Sequence, residues 1–131
     1  MRIYLAGGID HKGHLKAARE QLIRMNHTIT SRWIDDENKL VVGQPDYLAY
    51  AQKWADNDMD DMMRADMIAA DVETGGRGTF FEIGYALGFN HSLHTRIKIA
   101  LIGERPNSVF MHANITGVYH FKDWGHFLHE I

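Results

Sequence analysis

What most restricts this chain is an alternation. Short apolar runs trade places with segments whose apolar residues recur at helical spacing, and glycine-rich turns close the first and third runs. Arg2–Ala6 (RIYLA) reads as a buried strand entering a tight turn at Gly7-Gly8. From His14 to Met25 the apolar residues Leu15, Ala18, Leu22 and Met25 keep a helical spacing. Thr28–Trp33 (TITSRW) alternates and is rich in β-branched residues, which predicts a strand. After a polar stretch with Gly43 and Pro45, a helical segment runs from Asp46 to about Arg64. Its stripe is Tyr47, Tyr50, Ala51, Trp54, Met59, Met62 and Met63. Asp66–Asp71 (DMIAAD) predicts a third strand, followed by the second glycine turn and a helix from Thr79 to about Phe89. Strands at Ile97–Ile102 and Val118–Phe121 and a last helix at Asp123–Glu130 complete the order.

Strands that alternate with helices imply a parallel sheet covered on both faces, because each crossover is right-handed. The expectation is therefore an α/β fold over one domain, residues 1–131: a doubly wound, flavodoxin- or Rossmann-like, five-stranded parallel sheet in the order 2-1-3-4-5. In such a sheet ligands bind outside the carboxyl ends of strands 1 and 3, where the winding reverses. The two loops ending there, Gly7–Gly13 and Val72–Gly78, are the glycine-rich ones.

Composition removes several function classes. A chain of 131 residues suits one compact domain that needs no staples. With no cysteine there is no disulfide framework, thiolate nucleophile or zinc–thiolate site. A net charge of −3 offers no basic footprint for nucleic acid or an anionic membrane. No run approaches the roughly 20 apolar residues of a membrane span, and the N-terminus has no signal-peptide pattern. These features lead us to expect a cytoplasmic protein with no nucleic-acid or membrane partner. Nine histidines are more than usual. Yet His11-x-x-His14 and His91-x-x-His94 lack further ligands at compatible spacing, so no metal or cofactor is expected.

One carboxylate stands out. Glu82 lies in GGRGTFFEIGYALG (75–88), among Phe80, Phe81, Ile83, Tyr85, Ala86 and Leu87. Thr79-x-x-Glu82 fits a capping box, in which hydroxyl and carboxylate satisfy backbone donors at a helix start. The same glutamate, held anionic by a helix N-terminus, suits covalent catalysis at the mouth of the crevice. Both readings stay open on pattern alone. The first loop, GGIDHKG, fits neither a P-loop nor a dinucleotide fingerprint; it is either a tight turn or a backbone cradle for a small ligand. The acidic run Asp56, Asp58, Asp60 and Asp61 reads as a solvated helix face. Asp58 is the exception, one turn from Met62 on the side that meets the sheet.

Three stretches carry a resemblance: IYLAGG at the N-terminus, D-x-x-D-x-x-x-A-D-x-I-x-A-D from Asp58, and GTFFEIGYALG, followed by a fourth strand and GERPN at Gly103–Asn107. With them the chain resembles the nucleoside 2-deoxyribosyltransferase family, essentially end to end. The resemblance implies cleavage of the N-glycosidic bond of 2′-deoxynucleosides through a covalent deoxyribosyl-carboxylate, then transfer of the sugar to another base. Related enzymes hydrolyse nucleoside monophosphates, which is the alternative reading; a non-catalytic nucleotide-binding module is another. By position, Glu82 matches the nucleophile, Tyr4 the tyrosine that orients it, and Asp71 an aspartate at the base that supplies a proton. Asn107 resembles an asparagine lent by a neighbouring subunit, which implies a homo-oligomer. Ala6, Gly7, Gly8 and Ile9 in the first loop, with Gly76 and Gly78 in the second, are the implied substrate-binding positions. Many transferases carry an acid where Gly76 stands, and Arg77 is unexpected there. The monophosphate hydrolases use loop serines, absent here, which favours a nucleoside over a nucleotide.

Overall fold

Five parallel strands form one sheet in the order β2-β1-β3-β4-β5, as the alternation predicts. The computed structural model describes residues 1–37, 41–93, 97–104 and 115–131. The strands are β1 (Arg2–Ala6), β2 (Thr28–Ile29), β3 (Met67–Asp71), β4 (Lys98–Ile102) and β5 (Val118–Phe121). The helices are α1 (Lys12–Arg24), α2 (Tyr47–Met63), α3 (Arg77–Leu93) and α4 (Trp124–Glu130). Every residue of β3 is buried, as expected of a central parallel strand covered on both faces.

The pleat splits the core in two. Tyr4, Ala6, Ile68 and Ala70 point to one side, where Met62 of α2 and Ile83 and Ala86 of α3 cover them. Ile3, Leu5, Met67 and Ala69 point to the other, against Leu15 and Leu22 of α1 and Phe127 of α4. The register pairs Tyr4 with Ile68 and Ala6 with Ala70, so the two strands alternate in phase. Asn26 takes a left-handed φ of 63° and ends α1, which turns the chain back into β2.

Strand β2 is shorter than the predicted Thr28–Trp33. Its ladder runs on only to the bond from Thr30 N to Ile3 O, at 2.9 Å. The Ser31 hydroxyl then accepts from Leu5 N, and a 3₁₀ turn over Arg32–Asp35 replaces the strand. Long-range partners explain the change. Trp33 donates its indole N–H to Leu5 O at 2.9 Å, and Asp61 of α2 takes the Arg32 backbone N–H at 3.0 Å. Among the described residues, no helix is long and apolar enough to cross a membrane.

Candidate active site

The two glycine loops meet at the carboxyl ends of β1 and β3. A Cβ on Gly8 would lie 2.3 Å from the Thr74 carbonyl oxygen, and one on Gly7 2.8 Å from Leu15 Cδ1. Gly8 thus permits close approach of the two loop backbones, and Gly7 makes room for the Leu15 side chain. Gly76 and Gly78 differ: a Cβ at either meets nothing within 4 Å, so they border open space. Ala6 is fully buried among the residues facing α2 and α3, whereas Ile9 is exposed. Asn107 lies outside the described residues.

Tyr4 and Glu82 come together across the chain. The buried Tyr4 hydroxyl donates to Glu82 Oε1 at 2.6 Å, in the range of strong hydrogen bonds to a carboxylate. Burial, reinforced by the Glu82 charge, holds the phenol well above its usual range, so Tyr4 keeps the proton it donates. Burial also pushes Glu82 up, to about 7; the Tyr4 hydrogen bond opposes the shift and the nearby Asp58 adds to it.

This corrects two expectations about Glu82. Helix α3 begins at Arg77, so Thr79 is inside the first turn rather than outside it as a cap, and Glu82 is in the second turn. Its carboxylate faces Tyr4 rather than closing a capping box on the helix start. Nor does the helix end hold it anionic, because desolvation dominates and favours the neutral form.

A second carboxyl belongs to the same side. Asp58 of α2 is raised to about 6, first by burial and next by Asp61, while Arg32 and Lys12 pull it down. Its field reaches both Tyr4 and Glu82. It has no hydrogen-bond partner among the described residues, which leaves it free for a ligand. The sequence signal for Asp58 was its place one turn from Met62, a core residue on this face.

Asp71 sits elsewhere. It is three residues beyond Ile68 on β3 and therefore has the opposite parity, so its side chain points to the α1/α4 side. Its Oδ1 accepts from Glu73 N at 3.2 Å and Thr74 N at 2.9 Å. Its Oδ2 accepts the Trp124 indole N–H at 3.0 Å and lies 3.6 Å from His14 Nε2. The buried carboxylate thus ties the second loop to α4.

A family model described as nucleoside 2-deoxyribosyltransferase matches residues 3–99, a span holding both loops, Tyr4, Asp58, Asp71 and Glu82. The chain belongs to that family. Membership makes it an enzyme of the deoxyribosyltransferase type. No curated protein sequence matches it significantly. Among solved structures, a 2-deoxyribosyltransferase from the psychrotolerant bacterium Bacillus psychrosaccharolyticus is similar with a TM-score of 0.58. The match covers 95% of this chain and 88% of that one at 19% identity, a likeness of fold.

Proposed function

We propose that the protein cleaves the N-glycosidic bond of 2′-deoxynucleosides and transfers the deoxyribosyl group to another nucleobase, with Glu82 as nucleophile. The observation that carries this reading is the 2.6 Å bond from the buried Tyr4 hydroxyl to Glu82, beside a second carboxyl at Asp58. Two carboxyls of raised proton affinity flanking one site suit retaining glycosidic chemistry.

In the first half-reaction the Glu82 carboxylate attacks C1′ on the face opposite the base. The C1′–N bond breaks, its electron pair stays on the base nitrogen, and Asp58 delivers a proton there. In the second, a nitrogen of the incoming base attacks C1′, the bond to Glu82 breaks, and the incoming N–H proton returns to Asp58. Asp58 takes this role in preference to Asp71, whose carboxylate lies on the other side of the sheet and is engaged by two backbone N–H groups and an indole. Asp71 serves by shaping the loop that carries Gly76 and Gly78. Positioned proton transfer of this kind contributes about 10²–10⁴-fold.

The working protonation state has Glu82 anionic and Asp58 protonated. With values of about 7 and about 6, the two groups share one proton through this range, so the rate follows a bell whose limbs belong to the pair. For assembly we propose a homo-oligomer. The resemblance at Asn107 supports it, as does the exposed Phe81 (66% exposed), stacked with Tyr85 on the surface of α3.

The test incubates thymidine with free adenine, and in parallel deoxynucleosides and their 5′-monophosphates without acceptor, with chromatographic analysis. Formation of 2′-deoxyadenosine, together with a deoxyribosyl adduct on the Glu82 peptide in quenched samples, is the expected result. Free base only would make the enzyme a hydrolase; release only from monophosphates would make it a nucleotide N-glycosidase. Binding without base release from any of them would end the catalytic reading.

A further inference from the structure

A group of charges behind Asp58 has no part in the chemistry above. Asp61 is fully buried, one helical turn beyond Asp58 on α2. Its carboxylate accepts from Arg32 N at 3.0 Å, from Arg32 Nε at 2.8 and 3.1 Å, and from Arg64 Nη2 at 2.6 Å. Arg32 also reaches the Asn57 carbonyl at 3.3 Å and Asp60 Oδ2 at 3.1 Å with Nη2. Arg64 meets Asp60 Oδ2 at 2.9 Å. One guanidinium, from the 3₁₀ turn after β2, therefore grips residues 57, 60 and 61, the turn of α2 that carries residue 58.

We propose that the Arg32–Asp61 ion pair is the positioning device for Asp58, fixing the helical turn that presents it to the substrate and setting the charge it faces. The inference rests on the assignment of Asp58 as the proton donor. A surface network built only for stability has no reason to bury one carboxylate completely, since a buried ion pair recovers little net energy over an apolar replacement. This one is placed where its two members act on Asp58 in opposite senses.

The charges facing Asp58 come from every neighbouring element. Asp61 of α2 raises its proton affinity; Arg32 of the 3₁₀ turn and Lys12 of α1 lower it. Tyr4 of β1 and Glu82 of α3 complete the surround, and both respond to Asp58. Removing Asp61 alone takes away the anion that raises Asp58 and leaves Arg32 paired with Asp60 only, so Asp58 releases its proton at lower pH. Removing Arg32 alone takes away a cation that faces Asp58 and leaves Asp61 held by Arg64 only, so Asp58 releases its proton at higher pH. Glu82 holds a proton more tightly than Asp58, so singly protonated molecules that carry it on Asp58 are the minority. Each variant changes that fraction, and kcat with it, in the same direction as the shift.

The experiment titrates full-length protein with ¹³C-labelled aspartate carboxyls, the Asp58 resonance being assigned by its loss in Asp58→Asn. Asp61→Asn is expected to move the Asp58 midpoint to lower pH and Arg32→Gln to higher pH. The double variant should return it close to wild type, and Arg32→Lys should hold it near wild type. If Asp61→Asn fails to fold, the contrast between Arg32→Gln and Arg32→Lys decides. Midpoints that stay put, or move the same way in both single variants, overturn the proposal. Base exchange by Asp58→Asn at the wild-type rate would instead overturn the assignment of Asp58 itself. An inactive Asp58→Asn with unmoved midpoints would sink only the role of the ion pair.

Discussion

Replacing Tyr4 with Phe removes one hydrogen bond and nothing else of size. The ring is fully buried in the α2/α3-facing core, and Phe refills the same space. What is lost is the 2.6 Å bond that favours the anionic form of Glu82 and partly offsets the pull of burial. A hydrogen bond to a charged acceptor contributes about 1.5–3 kcal/mol, and at about 1.4 kcal/mol per pH unit its loss lifts Glu82 by roughly one to two units. Starting from about 7, the ionised fraction at neutral pH falls from about one half to between roughly one in ten and one in a hundred. Turnover should therefore drop roughly 5- to 50-fold at about pH 7, and the deficit should close as pH rises past the new value. A pH series of kcat/KM for wild type and Tyr4→Phe, with melting curves to show that the fold is kept, makes the comparison. A deficit constant across pH would mean that Tyr4 only orients Glu82, and no deficit at all would remove it from the mechanism.

Glu82→Gln should abolish transfer while making the protein more stable at alkaline pH. The folded carboxyl sits at about 7 against an ordinary 4.5, so the stability it contributes is fully present below pH 4.5 and is lost as pH rises through 7. The gap of about 2.5 units caps the gain at roughly 3 kcal/mol above pH 7. Equal melting temperatures at pH 5 and pH 8 in the wild type, with no gain in the variant, would contradict the burial argument. Gly8→Ala drives a Cβ to 2.3 Å from the Thr74 carbonyl oxygen and must part the two loops, whereas Gly76→Ala meets nothing within 4 Å. The first should cost about 1–3 kcal/mol and most activity; the second should melt within about 0.5 kcal/mol of wild type and raise KM through the space it fills. Thermal melts and Michaelis curves for both variants check this, and a Gly8→Ala protein as stable as wild type would refute the loop contact.

Much of this was legible in sequence because it depends on local pattern. Helical spacing in α1 and α2, apolar runs at β1, β3 and β4, and glycines after the first and third strands each act over a few residues, and strand order follows from connection handedness. Those signals located both loops, and with the resemblance they singled out Tyr4 and Glu82. Three matters were decided only by the tertiary structure. Strand β2 stops at Ile29 because Asp61, 29 positions beyond Arg32, captures that residue's backbone N–H. Glu82 is neutral-leaning rather than held anionic because burial, a sum over many distant contacts, outweighs its place in a helix. Asp71 and Glu82 fall on opposite sides of the sheet because the pairing of Tyr4 with Ile68 sets the phase of β3, and side chains on a strand change face with every residue. No local pattern encodes that phase. It arises only when two strands are aligned, and it decided which aspartate shares a side of the sheet with Glu82.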